Sequence, residues 1–403
     1  MKKRVGLIIT VFMWSVTLFG AGWLMRSRLV AASAPDPLPA QSSGAATLLD
    51  EVWTHVRESF VGDVPTDTVR NYGAIRGELA TLNDRWTVLV EPQPHAAERE
   101  QLSGQFGGIG VEIHLNEEGK IVLSPRLDSP ADKAGVIEGD ILISIDGVAL
   151  PEKPDFNDVA ARVRGEVGTS VRITVLRATK QMEFSVVRAV IQIPSVEWRV
   201  ITGTNASMGI IGYIAIHQLT ERTGSEVKQA VGELRKKGSQ AYLIDLRDNG
   251  GGLLPAAVDV GSIFLDKGVV LIQRRNNQPD VSFPVTKDET TGVYHEPIAV
   301  LVNGNTASAA EIVAGAIQDD KRGPLIGEKT YGKGSVQSIY ELSDGSSVHI
   351  TSAKWLTPNQ RSIDGVGLMP DVGVKRADGE VEHGLDSQID RALAELRDTL
   401  AHR

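Results

Sequence analysis

From about Ile191 onward the chain alternates apolar strand-like runs with amphipathic helical stretches, and this alternation constrains the fold more than any other feature. Gly209 to Ile216 and Ala241 to Leu246 read as strands, and Pro297 to Val302 as a buried strand. Glu226 to Lys236 and Ala307 to Ile317 have the spacing of helices that bury one face. Strands and helices in this order predict an α/β core. A further amphipathic helix, from Asp386 to Leu400, is expected to close the chain.

Before this region the texture is different. Phe106 to Ile113 alternates into a strand behind glycines, Ile121 to Ser124 is a short strand, and Ser129 to Val136 reads as a short helix with a glycine stop. Gly139 to Gly147 is a strand closed by an Asp-Gly turn. Phe156 to Val163 is helical, and Ser170 to Leu176 and Gln181 to Val187 alternate as strands. The order is that of a compact module, mostly strands with two helices. Successive glycines at Gly107, Gly108 and Gly110, around Ile109, let backbone amides converge into a nest for an anion, and a peptide carboxylate beside a free strand edge is the obvious one. A plain hairpin turn is the alternative for these four residues alone. Taken as a whole, Phe106 to Arg188 resembles a PDZ domain.

Composition narrows the chemistry. The 403 residues allow two or three domains, and a formal charge of −9 offers no basic field for nucleic acid. With no cysteine there is no disulfide, thiolate nucleophile or Cys-ligated metal. Eight dispersed histidines without H-E-x-x-H exclude a zinc hydrolase, and the lack of G-x-S-x-G argues against an α/β-hydrolase. No metal or cofactor is expected.

Lys2, Lys3 and Arg4 precede an uncharged run from Val5 to Met25, followed by Arg26, Arg28 and small residues to Ala34. The run is long enough to span a bilayer, so an uncleaved signal anchor is favoured over a cleaved signal peptide. Either places the rest of the chain outside the cytoplasm. Ala34 to Gly44 reads as a linker. Leu48 to Phe60 and Val69 to Leu82 form a small helical segment ending at Asn83-Asp84-Arg85-Trp86-Thr87.

Two strand–turn–helix junctions carry candidate chemistry. Asp245 to Gly252 follows a predicted strand and ends in three glycines before a helix beginning near Leu254. Glycines and a helix N-terminus suit an anion, and since G-x-x-x-x-G-K-[ST] is absent an oxyanion hole fits better than a phosphate loop. In the second junction Ser308 stands at a helix start, its own amide and that of Ala309 directed outward. By itself such a serine is equally a packing or N-capping residue. Downstream, Lys333 lies between two glycines. A desolvated amine near helix N-termini loses its proton near neutral pH and then accepts one from Ser308. A solvated loop lysine is the alternative. Gln337 would hold the amine, but only across a turn or bulge, since a regular strand separates positions 333 and 337 by ~13 Å.

Asn305 to Gly315, Thr330 to Gln337, Trp355-Leu356-Thr357-Pro358 and Gly367 to Asp371, in that order, resemble the C-terminal processing peptidases, or tail-specific proteases, of family S41. The resemblance covers roughly residues 48 to 375, with Asn83 to Thr87 included. It implies a crotonase-like or Clp-protease-like α/β serine protease core with an inserted PDZ domain and a small N-terminal helical segment. It further implies Ser308 as nucleophile, Lys333 as general base, Gln337 as the residue positioning the lysine, and the amides of Ala309 and Gly251 as oxyanion hole. The PDZ loop of Gly107, Gly108, Ile109 and Gly110 would take a substrate's C-terminal carboxylate, and Arg164 would couple its occupancy to the protease. Gly250 stands where the family usually has proline, and Thr306 where serine is common.

The expected division is 1–34 signal anchor or signal peptide, 35–47 linker, 48–97 helical segment, 98–190 PDZ domain, 191–378 protease core and 379–403 C-terminal helix. Partners are protein or peptide substrates with free C-termini and a membrane at the N-terminus, with no nucleic acid; a homo-oligomer is left open. The rival readings are a non-proteolytic PDZ adaptor with an inactive core and an acyl-CoA enzyme on the same core.

Overall fold

The computed structural model describes residues 43–202, 209–286, 294–377, 380 and 385–402. The charge-free run from Val5 to Met25 lies outside them, as do the anchor and most of the linker. Among the described residues no helix is long and apolar enough to cross a membrane.

The chain divides into two compact units, Met1–Gly73 and Ala74–Arg403. The first holds α1 (Ser43–Ser59) and the first half of α2 (Asp67–Ala80), where Arg70 sits 5.7 Å over the Trp53 ring. All that follows concerns the second unit.

There the chain enters through β1 (Val88–Val90), α3 (Pro92–Ser103) and β2 (Gln105–Gly108). The expected strand from Phe106 to Ile113 is broken: Gly110, at φ 72°, separates β2 from β3 (Val111–Leu115). The module continues through β4 (Ile121–Pro125), α4 (Pro130–Lys133), β5 (Asp140–Ile145), β6 (Val148–Ala149), α5 (Phe156–Val163), β7 (Ser170–Arg177) and β8 (Lys180–Val187). Its sheet runs β3-β4-β5-β7-β8, with β6 on β5, so β3 is an edge. Its helices start where local chemistry places them. The Ser129 side chain accepts from the Asp132 amide ahead of Pro130, and the Asp155 side chain accepts from the amides of Asn157 and Asp158. β2 pairs antiparallel with β9 (Ala189–Gln192), a ribbon that carries the chain in and out of the module.

The core follows as β10 (Val196–Thr202), β11 (Ile210–Ile216), α6 (Thr223–Lys236), β12 (Ala241–Asp245), α7 (Leu254–Phe264), β13 (Val269–Arg274), β14 (Val281–Pro284), β15 (Ile298–Val302) and α8 (Ala309–Asp319). It is completed by β16 (Leu325–Gly327), β17 (Ser335–Glu341), β18 (Ser347–Leu356), β19 (Val372–Gly373) and α9 (Ser387–Ala401). One sheet, β10-β11-β12-β15-β16-β19, is parallel except at β10. Its inner strands β11, β12, β15 and β16 are buried on both faces, and alternate residues serve opposite layers. Ile214, Ile216, Tyr242, Ile244 and Val300 pack with α6, α7 and α8, whereas Tyr213, Leu243, Ala299 and Leu301 pack with Ala392, Leu393 and Leu396 of α9. The predicted alternation therefore becomes helix, sheet and helix layers.

The second sheet, β1-β18-β13-β14 with β17 on β18, lies outside the strand–helix alternation. β1 belongs to the segment expected to be helical. Its pairing with β18, Val88 opposite His349, brings Trp86 and Thr87 to the strands that flank Lys333.

Candidate active site

Ser308 begins α8 with φ 55° and ψ −120°, a backbone region costly for any residue with a Cβ. The strained elbow arises without G-x-S-x-G. Its small neighbours Ala307, Ala309 and Ala310 and the close approach of Gly251 make room for it. A Cβ on Gly251 would stand 2.9 Å from the Ser308 Cβ and 3.0 Å from the Ala309 nitrogen. Gly251 is itself at φ 104°, so glycine is required there on both counts.

The two junctions are bolted together by polar contacts. The Asn303 and Asn305 side-chain amides donate to Asp248 Oδ1, the Thr306 hydroxyl donates to the Leu246 carbonyl, and the Ala307 amide donates to the Asn249 carbonyl. Behind Asp248, Arg247 forms a buried ion pair with Asp245 and reaches Asp386, the cap of α9. The preceding strand is thus tied to the C-terminal helix.

Lys333 precedes β17. A bulge between Val336 and Gln337, where the register on β18 skips from Ala353 to Thr351, turns Gln337 to the same side as the lysine. Lys333 Nζ then donates to Gln337 Oε1 at 2.7 Å, and Gln337 Nε2 donates to the Trp86 carbonyl at 2.6 Å. The ammonium also lies 4.4 Å over the Trp86 ring, whose neighbour Arg85 stacks on it at 4.5 Å. Burial lowers the pKa of Lys333, Glu98 opposes that shift, and the positive Arg85 adds to it.

Ser308, Lys333, Gln337, Gly251 and Ala309 line one cavity of about 590 Å³, shared with Glu98 and His349. Among the described residues no hydrogen bond joins Ser308 to the Lys333 amine. The amides differ from expectation. The Ser308 N–H donates to Glu311 Oε2 at 2.8 Å, and the Gly251 N–H donates to Asn249 Oδ1 at 2.8 Å. Of the three amides expected at an oxyanion, only that of Ala309 has no acceptor among the described residues. Side-chain acceptors capture the other two, which strand–turn–helix logic does not foresee.

Sequence reasoning also missed Glu311, which is fully buried. Its Oε1 accepts from the Thr330 hydroxyl at 2.5 Å and the Gly332 amide at 2.8 Å. Its Oε2 accepts from the amides of Ser308 at 2.8 Å and Lys333 at 2.9 Å. One carboxylate therefore fixes the backbone on both sides of the cavity. The available signal was a glutamate three residues after the serine, which reads as an ordinary capping box. Trp86 lies in the stretch Asn83 to Thr87, which the family resemblance includes.

In the PDZ-like module, Gly107 and Gly108 are engaged in the β2–β9 ladder. The amides of Ile109 and Gly110 are without an acceptor among the described residues, while the carbonyls of Gly107, Ile109 and Gly110 accept from Gly165, Ala131 and Arg126. Arg164, at the end of α5, sits 4.3 Å over the Phe106 ring of β2 and 3.5 Å from Glu100 of α3.

The strained Ser308 and the half-buried Lys333 amine thus line one cavity in a chain that also carries a PDZ-like module. The model of peptidase family S41 matches residues 210–374, and a PDZ domain model matches residues 121–177. A carboxyl-terminal-processing protease from Synechocystis sp. is 34% identical over 357 residues, covering 86% of this chain and 82% of its own length. A carboxy-terminal-processing protease from Bartonella bacilliformis is 35% identical over 343 residues, covering 83% and 76%. Among solved structures, a photosystem II D1 C-terminal processing protease is similar over 83% of this chain and 94% of its own, with 29% identity and a TM-score of 0.48. The chain belongs to peptidase family S41, among its carboxyl-terminal-processing serine proteases. It is an enzyme of the serine-protease type, with a mixed α/β core and a PDZ domain.

Proposed function

We propose that the protein is an endopeptidase that cleaves proteins presented by a free, apolar C-terminus, with Ser308 as nucleophile and Lys333 as general base. The observation that carries this reading is the half-buried Lys333 amine, held by Gln337 in the cavity that also holds the strained Ser308. As a neutral amine Lys333 takes the Ser308 hydroxyl proton while Oγ attacks the scissile carbonyl carbon. The amine then returns that proton to the leaving nitrogen, and water hydrolyses the acyl-enzyme by the same route. The Ala309 amide donates to the oxyanion, and Gly251 becomes the second donor once its N–H leaves Asn249. Lys333 must also move from Trp86 towards Ser308, so the resting arrangement precedes the productive one.

Substrate selection rests on the module. The open amides of Ile109 and Gly110 suit a carboxylate, and the β3 edge suits an added strand. Arg164 would pass occupancy from the module to α3, a reading supported by its contacts with Phe106 and Glu100. A peptide with a free apolar C-terminus should be cleaved at least tenfold faster, in kcat/KM, than its amidated twin; equal rates would remove carboxylate capture. The same assay run across pH should show an acid limb below the ordinary lysine value of ~10.4. Because Arg85 lowers the Lys333 pKa, Arg85→Gln should move that limb to higher pH.

The run from Val5 to Met25 behind Lys2, Lys3 and Arg4 supports an extracytoplasmic location with a membrane anchor. Since the chain has no cysteine, one introduced on the exposed face of α9 gives a clean report. Labelling of intact cells by an impermeant maleimide is expected, and labelling only after lysis would refute the location.

A further inference from the structure

The cavity wall carries a second cluster, built from elements that lie far apart in sequence. His95 and Glu98 of α3 and His349 of β18 each offer one donor atom, and the three atoms lie within 4.8 Å of one another. Glu98 Oε2 is 3.3 Å from His349 Nε2 and 3.9 Å from His95 Nδ1. Both rings are buried, at 5% and 6% exposure, and among the described residues neither of these nitrogens has a hydrogen-bond partner. Buried side-chain nitrogens are nearly always partnered. Two that converge on one carboxylate oxygen point to a ligand that accepts lone pairs from all three.

The surroundings fit a metal ion. The other nitrogen of His95, Nε2, lies 3.4 Å from Glu341 Oε1, and Arg99 holds that carboxylate at 2.8 Å. A carboxylate on the far ring nitrogen is the usual means of orienting a metal-binding imidazole and fixing its tautomer. Zinc bonds of ~2.0–2.2 Å in a tetrahedron place donor atoms ~3.3 Å apart. The Glu98–His349 pair already has that spacing, and side-chain torsions can bring His95 the remaining distance, roughly 1 Å or less from Glu98.

We propose that His95, Glu98 and His349 form a three-ligand site for a divalent transition-metal ion, Zn²⁺ by its donor set, in the wall of the peptide cavity. Two imidazoles and a carboxylate suit zinc, whereas Mg²⁺ and Ca²⁺ take oxygen ligands. Glu98 and His349 face the cavity, so the fourth coordination position opens towards the space that a peptide enters. The ion would stand beside Lys333, not on it, and binding does not depend on the catalytic roles proposed above.

The test is a titration of the metal-free full chain carrying Ser308→Ala, which prevents self-cleavage, with Zn²⁺ against a chromophoric chelator, and with Co²⁺ for its absorption spectrum. One Zn²⁺ per chain is expected, with a tetrahedral Co²⁺ spectrum and no competition from Mg²⁺. His95→Gln, Glu98→Gln and His349→Gln should each weaken binding at least tenfold and abolish that spectrum. Circular dichroism checks each variant's fold. Glu98 is only partly buried, so Glu98→Gln keeps the test decisive if a histidine variant misfolds. Absence of binding to the parent chain, or affinity unchanged by Glu98→Gln and the folded histidine variants, overturns the site.

Discussion

Ser308→Ala is expected to reduce turnover of an apolar-ended peptide by ~10⁴-fold or more while leaving the unfolding midpoint nearly unchanged. Ser308→Gly should lose as much activity but raise the midpoint, by about 1–3 °C. The difference isolates the elbow. Alanine keeps a Cβ at φ 55°, ψ −120°, and so keeps the strain, whereas glycine occupies that region freely and releases ~1–3 kcal/mol less its own chain-entropy cost. Equal midpoints for the two variants would mean that the elbow stores no strain. Lys333→Met should match the activity loss. Its effect on stability depends on pH, because burial lowers the lysine's pKa in the folded chain relative to the unfolded one. Between the two values the unfolded chain binds more protons, so wild-type stability rises with pH through that window. Methionine removes that slope, and differential scanning fluorimetry across pH 7 to ~11 would detect its loss.

The second large effect is expected at Glu311. Glu311→Gln presents an amide NH₂ where two backbone or hydroxyl donors require an acceptor, at one or other of the two oxygens. Stability should fall by ~2–4 kcal/mol, as for hydrogen bonds to a buried charge. Activity should fall by more than stability explains. The amides of both Ser308 and Lys333 hang on this carboxylate, and a misplacement of ~1 Å in a reacting pair costs ~10²-fold. The loss should appear in kcat with little change in KM, since Glu311 holds the backbone of Ser308 and Lys333 and lies in the core, outside the PDZ module. Thr330→Val removes one donor to Oε1 and leaves the Ser308 and Lys333 contacts intact, so its effect on kcat should be much smaller. An equal fall in the two variants would reduce Glu311 to ordinary core support.

Much of this protein was legible from local pattern. The strands from Ile210 and Ala241 and the helix from Phe156 announce themselves because burial repeats every second or every 3.6 residues. Ser308, Lys333 and Gln337 could be proposed as a set because each stands in one of the contiguous stretches that carry the family resemblance. The condition attached to Gln337, a bulge or turn, is met by the break after Val336. What local pattern misread were the amides. Whether Ser308 and Gly251 offer N–H groups to a ligand depends on Glu311 and Asn249, which accept them. β1 was hidden for a related reason: three residues carry too little periodicity to read, and only pairing with β18 makes them a strand.

The sequence alone therefore determined the strand–helix alternation of the α/β core and the PDZ-like module before it. Both follow from backbone periodicity and short contiguous motifs. Tertiary structure alone decided how Ser308 and Lys333 are held. It placed Trp86 over Lys333, joined Ser308 to Lys333 through Glu311, and brought His95 to His349 with Glu98 between them. Each of these depends on polar atoms from separate elements meeting in one buried place. Such a meeting leaves no periodic trace, because a hydrogen bond or a shared ligand is set by distance in space and not by spacing along the chain.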